Sequence, residues 1–102
     1  MAEFRVAISP AALMDIDRIS EFHLVMSGPS YAEGITDEIL DTLGMLSSFP
    51  YMGALHPDEE LARLQYRKVI CGNYLAVYKV FEGFVYIYRV VDGRMDYPKL
   101  LK

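Results

Sequence analysis

Tyr86-Ile87-Tyr88-Arg89-Val90-Val91-Asp92-Gly93-Arg94-Met95-Asp96-Tyr97-Pro98-Lys99-Leu100-Leu101, close to the end of the chain, is the stretch whose reading decides the fold. Up to Val91 it is a run of aromatic and β-branched residues, side chains that suit a pleated, half-buried surface, so it reads as a strand. Asp92-Gly93 is a turn signal. Beyond it Arg94, Asp96, Tyr97 and Lys99 form a compact polar cluster, delivered by the strand to a sheet edge. A last strand followed by a solvated tail has the same pattern.

Working back from that run, residues 64–70, 74–81 and 84–91 read as three consecutive strands, with turns at Cys71-Gly72-Asn73 and Glu82-Gly83. A two-residue turn at Glu82-Gly83 places Phe81 opposite Phe84, Lys79 opposite Tyr86, Val77 opposite Tyr88 and Leu75 opposite Val90. These eight share one face. The other face holds Tyr74, Ala76, Tyr78, Val80, Val85, Ile87, Arg89 and Val91, and is the one expected to pack on helices. Arg89 is awkward there: it must emerge at the sheet end, pair with a helix carboxylate, or follow a β-bulge that turns it outward. The first face, with Phe84, Tyr86 and Tyr88, is too aromatic to be left bare. A partner or a C-terminal segment is expected to cover it.

The N-terminal half is helical. Phe4-Arg5-Val6-Ala7-Ile8 alternates as a short strand. Ser9 then caps a helix whose first position is Pro10. Ala12, Ile16, Ile19, His23 and Met26 fall on its apolar face, with Asp15, Asp17, Arg18 and Glu21 largely off it. His23 is expected to be packed rather than catalytic. Ser27-Gly28-Pro29-Ser30 breaks the helix, and Ser30 with Glu33 reads as the capping box of a second. That helix carries Ala32, Ile35, Ile39, Leu43 and Leu46 on its apolar face and ends at Phe49-Pro50. So short a break implies a helical hairpin. Residues 54–60, with Asp58-Glu59-Glu60, read as a solvated loop holding an exposed His56. The lack of a nearby cysteine or second histidine argues against a metal site.

The 102 residues suffice for one domain, 1–102, and 53% of them are hydrophobic, which argues against disorder. One cysteine, Cys71, cannot form an internal disulfide, as expected for a reducing compartment. Neither a signal peptide nor a membrane span is read, so the expected location is the cytoplasm. The net charge of −4 is unevenly placed. Residues 1–50 hold two basic residues against eight acidic, a net of −6, and residues 63–102 hold eight against three, a net of +5. The C-terminal half is thus able to face an anionic partner. The sequence shows no Gly-rich phosphate loop and no Ser/His/Asp arrangement, and no cofactor is expected.

The tail Arg89-Val90-Val91-Asp92-Gly93-Arg94-Met95-Asp96-Tyr97 resembles the C-terminal signature of the RelE/ParE family of type II toxin–antitoxin toxins, sometimes called plasmid stabilisation proteins. The helix end Leu46-Ser47-Ser48-Phe49-Pro50-Tyr51-Met52-Gly53 resembles the family's Leu-x-x-Phe-Pro-x-x-Gly run. Arg67 ahead of Cys71-Gly72-Asn73-Tyr74, and Tyr74 spaced four from Tyr78, fit as well. The resemblance implies an α+β fold of order β-α-α-β-β-β, an antiparallel sheet with a helical hairpin packed on one face.

The resemblance also implies a growth-inhibiting toxin neutralised by a cognate antitoxin. Members similar to ParE poison DNA gyrase; members similar to RelE cut messenger RNA on the ribosome. A third reading is a non-toxic module that only binds its antitoxin. For an RNA endonuclease, Arg67 and Arg94 would bind phosphate and Tyr97 would act as an acid/base or stacking group. Two family groups are replaced: the strand arginine by Leu75 and the tail histidine by Asp92. The replacements and the acidic total favour the ParE-like reading, an inhibitor and not an enzyme. Candidate target contacts are Arg67, Lys79, Arg94, Tyr97 and Lys99. Candidate antitoxin contacts are Phe84, Tyr86 and Tyr88.

Overall fold

A computed structural model describes residues 3–102. The chain runs β1 (Arg5–Ile8), α1 (Pro10–Ser27), α2 (Pro29–Met45), β2 (Ala54–Leu55), α3 (Glu59–Arg63), β3 (Arg67–Cys71), β4 (Tyr74–Phe81), β5 (Phe84–Asp92) and a closing 3-10 turn (Pro98–Leu101). The strands form one sheet in the order β1-β5-β4-β3-β2. Neighbours are antiparallel except β1, which lies parallel to β5. The expected α+β layout, a helical hairpin on one face of the sheet, is present; the sheet is mixed because β1 joins the last strand only after the whole chain has crossed over.

Local chemistry sets most boundaries. The Ser9 hydroxyl accepts from Ala12 N–H at 3.0 Å and Pro10 takes the first helical position, as expected. Gly28, at φ 93°, turns the chain between the helices. The Ser30–Glu33 capping box does not form. Pro29, its φ already suited to a helix, starts α2 two residues earlier, so Ser30 lies inside the helix and Gly28 is the cap. The helix ends at Met45, before Phe49-Pro50, and tightens through turns in which the Ser48 and Phe49 N–H groups reach the Met45 carbonyl.

The stretch read as a solvated loop is not one. Asp58 caps α3 by accepting from Leu61 N–H at 3.1 Å. Gln65, at φ 70°, closes the helix with bonds from Gln65 N–H to Ala62 O and Tyr66 N–H to Leu61 O, a Schellman arrangement. This helix end occupies residues 64–66, which is why β3 begins at Arg67 and not at 64. At Glu82-Gly83 both residues have positive φ, 48° and 82°, the geometry of a type I′ hairpin turn.

The two sheet faces carry separate clusters. Ala12, Ile16, Ile39, Leu43 and Leu46 of the helical layer pack on Val69, Ala76, Tyr78, Val85, Ile87 and Val90. Ile19, Ile35 and Val80 join at the margin, only partly buried. His23 is half-buried with Nε2 2.7 Å from the Tyr74 hydroxyl, whereas Met26 is exposed. On the far face Leu61, Tyr66, Leu75, Val77, Val91 and Tyr97 form the second cluster.

The face assignment holds along β4 and along β5 as far as Tyr88, then fails at Val90 and Val91. The register steps from Tyr78 opposite Ile87 to Val77 opposite Arg89, so Tyr88 and Arg89 together face one residue. This β-bulge sends Val90, not Val91, to the helical side. Asp15, read as off the apolar face, is buried and resolves the Arg89 problem. Its carboxylate accepts from Arg89 Nε and Nη2, both at 2.8 Å, and from Val90 N–H at 2.9 Å.

Two substitutions test this layout by denaturant melts. Ile39→Ala is expected to cost about 2–5 kcal/mol, since Ile39 has no exposed surface. Asp15→Ala is expected to cost about 3–5 kcal/mol, because it strands Arg89 and the Val90 N–H. A loss under about 0.5 kcal/mol in either would contradict the corresponding contact set.

Candidate functional site

The residues singled out by sequence gather around the far face of the sheet and the tail, but not at one point. Tyr66, just ahead of β3, stacks edge to face on Tyr88 of β5, and Tyr88 in turn on Tyr86, with centroids 5.1 Å and 4.7 Å apart. Lys79 Nζ lies 4.3 Å above the Tyr66 ring and 5.6 Å from that of Tyr88, a cation–π contact that keeps the charge on the surface. Phe84 is exposed at the hairpin end, and Tyr86 and Tyr88 are half-buried. The C-terminal segment takes the other half of this face: Tyr97 and Leu101 pack on the cluster of Leu61, Tyr66, Leu75, Val77 and Val91.

A clasp holds that segment. His56, expected to be exposed, is 4% exposed, and its Nε2 is hydrogen-bonded to the Tyr97 hydroxyl. Asp58 N–H donates to His56 Nδ1 at 3.0 Å. Nδ1 is therefore the acceptor, so the neutral ring carries its proton on Nε2 and donates it to Tyr97. Lys102 Nζ closes the end of the tail on Asp58 at 3.1 Å and Glu60 at 3.3 Å. Burial, then the nearby Lys68, holds the His56 pKa below its ordinary 6.5. Burial raises that of Tyr97. Lys99 points into solvent beside it.

Arg67 and Arg94 are each engaged elsewhere. Arg67 is two residues from Val69 on β3, so it shares its face, and it pairs with Tyr78, which puts it on the helical side of the sheet, opposite the cluster that contains Tyr97. Its Nη1 donates to Gly53 O at 2.7 Å and its guanidinium lies 4.9 Å from the Tyr51 ring centroid. The Tyr78 hydroxyl binds the same loop, donating to Pro50 O at 2.9 Å and accepting from Gly53 N–H at 3.0 Å. A Cβ at Gly53 would collide with Lys68 O and the Tyr78 ring, so the Phe49-Pro50-Tyr51-Met52-Gly53 run is a loop pinned by Arg67 and Tyr78. Arg94 folds back on Asp92, with Nη2 to Oδ2 at 2.8 Å and Nε to Oδ1 at 3.1 Å. That contact holds the Asp92 pKa down at about 2.

The cysteine is inert: Cys71 is buried and its thiol is pushed up to about 11 by that burial. Among the described residues no group of three His, Cys, Asp or Glu is arranged to hold a metal. Among the described residues no helix is long and apolar enough to cross a membrane. Sequence reasoning missed His56, Asp15, Tyr66 and Lys102. For His56 a signal existed: Asp58 followed by two acids is a helix start, which would have placed His56 beside a buried helix end.

The clasp generates a pH prediction. A histidine whose pKa is lowered on folding stabilises the fold fully above its unfolded value, 6.5, and that stability is lost as pH falls below it. Urea melts are expected to show the protein less stable at pH 5.5 than at pH 7.5, with His56→Gln showing a smaller difference. An equal difference in the two proteins would remove His56 from the account.

Residues 6–97 match the family described as the ParE toxin of the type II toxin–antitoxin system parDE. Among solved structures, the chain is similar to one from a chromosomal ParDE toxin–antitoxin system of P. aeruginosa, with TM-score 0.75, 21% identity, and 88% of this chain and 96% of that one covered. It is similar also to one in the RelBE2 toxin–antitoxin complex of Mycobacterium tuberculosis, with TM-score 0.60, 20% identity, and coverage of 88% and 98%. Among curated proteins none matches. With the match spanning nearly the whole chain, the protein belongs to the ParE toxin family of type II toxin–antitoxin systems.

Proposed function

We propose that this toxin stops growth in the cytoplasm by binding a replication protein, DNA gyrase, without cutting RNA, and that a cognate antitoxin neutralises it by docking on Phe84, Tyr86 and Tyr88. One observation carries the choice between the two toxic mechanisms. An endonuclease needs its phosphate-binding cations and its proton-transfer group around one scissile bond. Here Arg67 and Tyr97 lie on opposite sides of the sheet. Tyr97 is 7% exposed and its hydroxyl is already bonded to His56. Its raised pKa makes it a poor base near neutral pH. Asp92 neutralises Arg94 where a free cation would be required.

In this reading Arg94, Lys79 and Lys99 are contacts to a protein target. The surface Arg94–Asp92 pair is worth little in water, so a target carboxylate can replace Asp92 at small cost. The antitoxin assignment rests on the exposed aromatic end of the sheet face, which the tail leaves open, and on the solved relatives being toxin–antitoxin systems.

Expression of the toxin alone tests the mechanism. The expected result is arrested growth with an induced DNA-damage response and intact messenger RNA ends. Ribosome-dependent cuts in messages, abolished by Arg94→Ala or Tyr97→Phe, would establish the endonuclease reading. Normal growth would leave only the antitoxin-binding module. For the partner surface, Tyr86→Ala combined with Tyr88→Ala is expected to reduce antitoxin capture in pull-downs at least tenfold, and unchanged capture would reject the face.

A further inference from the structure

Past Asp92 the chain leaves the sheet and folds over it. Tyr97 is buried and Leu101 partly so, and together they cover Leu61, Tyr66, Leu75, Val77 and Val91. Among the described residues the backbone bonds of this segment are turns, Met95 N–H to Asp92 O and Leu100 N–H to Tyr97 O. The side-chain bonds and ion pairs that tie residues 96–102 to the body all land, among the described residues, between positions 56 and 60. They are Tyr97 on His56, and Lys102 on Asp58 and Glu60. A segment held by so few polar contacts opens more easily than the layers it covers.

The same few residues begin α3. Asp58 donates its N–H to His56 Nδ1, and its carboxylate accepts from Leu61 N–H and from Lys102. His56 thus stands between the start of α3 and the tail, with one ring nitrogen committed to each. A second proton on the ring has to sit on Nδ1, where the Asp58 N–H already points. Two donors then face each other, and a buried N–H is left unpaired. The charges around the ring do not repair this. Lys68 of β3 and Lys102 of the tail oppose a charged ring, and the Asp58 carboxylate that favours it is already shared between Leu61 N–H and Lys102. Glu60 is drawn to Lys102, and Glu59 pairs with Arg63 in solvent. Arg67 is turned to the other side of the sheet, on Gly53 O, and Asp96 and Lys99 of the tail are exposed. Swung into water, the same ring takes its proton at the ordinary 6.5.

We propose that the tail is a proton-gated cover: when His56 takes its second proton, residues 96–102 and the first turn of α3 come away as one unit and bare Leu61, Tyr66, Leu75, Val77 and Val91, while the helical layer and the long strands stay in place. Opening binds a proton, so acid draws the molecule toward the open form. Between the pH at which the closed ring titrates and that at which the open ring does, the open-to-closed ratio rises about tenfold for each unit that the pH falls. The rest of the fold takes no part. His23, the only other histidine, sits near the end of α1 on Tyr74, and Asp15 and Arg89 join the two layers without any contact to His56. The cover works in the same way whatever the toxin's target.

The test is amide hydrogen exchange on the full-length toxin at pH 7.5 and pH 5.5, read by mass spectrometry and corrected for the intrinsic effect of pH on exchange. Residues 96–102 and 56–66 are expected to exchange at least tenfold faster at pH 5.5, and together, with less than twofold change over residues 32–46 and 84–91. Proton NMR of the two histidine rings identifies the trigger: the midpoint of opening is expected to coincide with the titration of His56 and not with that of His23. His56→Gln carries a carbonyl for the Asp58 N–H and an N–H for Tyr97 but takes no charge, and is expected to keep the tail closed at both pH values. Lys102→Ala is expected to speed exchange of the tail and of residues 56–66 alike at pH 7.5, since both hang on Asp58. Equal protection at the two pH values overturns the proposal. So does exchange that quickens over the whole chain at once, or in the tail without α3. A tail that still opens with acid in His56→Gln, or that follows His23, removes His56 as the trigger and overturns it as well. Should His56→Gln not fold, the match or mismatch between the opening midpoint and the His56 titration in the unaltered toxin decides alone.

Discussion

One carboxylate holds the two layers together. Asp15 is buried in the helical layer, and a buried carboxylate without partners is unaffordable in a protein this small. It finds three donors on β5: two from Arg89 and the N–H of Val90. That last donor is available only because of the bulge. Ile87 bonds toward β1 through its carbonyl, and alternation alone would turn residue 89 to that edge next. The extra residue moves the edge-facing N–H to Val90. Ser9 acts beside it, its N–H on Ile87 O and its hydroxyl on Tyr88 O. The start of α1 is thereby fixed on the bulge itself, and the position of the helical hairpin follows.

The bulge also decides what faces the partner. It sends Val90 into the helical cluster and Val91 into the other, and Val91 then supports Tyr97 and the tail. A strand without it would bring Arg89 toward the helices in place of Val90 and leave the tail a poorer surface. The tail in turn covers part of the far face, with Tyr97 and Leu101 packed on it. Residues that look like site residues, Tyr97 above all, are in this chain the means of fixing the surface on which a site is built.

Much of the fold was legible because its signals are local. Ser9-Pro10, Gly28-Pro29 and Glu82-Gly83 each encode a backbone geometry within two residues, and each is found where it was read. The spacing of Ala32, Ile35, Ile39 and Leu43 encodes a buried stripe for the same reason. The errors sit where long-range partners decide. Asp15 falls between Ala12 and Ile19 at helical spacing, and Arg89 sits in an apolar strand; each is anomalous alone, and only together do they spell a buried pair. The bulge leaves no mark in a run of aromatic and β-branched residues. His56 looked exposed because its partners, Tyr97 and the Asp58 N–H, are respectively forty-one residues distant and part of an unrecognised helix cap. Candidate site residues were legible as types but not as a geometry: nothing in the spacing of Arg67 and Tyr97 says that the sheet comes between them.

Charge placement bears on the partner in a way the total conceals. The helical half supplies most of the acids, whereas the register puts Arg5, Lys68 and Lys79 on the sheet face opposite the helices, in line with Phe84 and Val77. The molecule is electrically two-sided, and the field near each face, not the net −4, governs encounter. An acidic total is therefore weak ground for excluding an RNA partner. The stronger ground is structural: the cations that remain on the aromatic face, Lys79 among them, are not joined there by Arg67. A cationic aromatic surface without a convergent proton-transfer group is suited to holding an acidic polypeptide. On the proposed reading the same surface holds a protein partner, since Arg67 and Tyr97 lie on opposite sides of the sheet and do not converge on one bond.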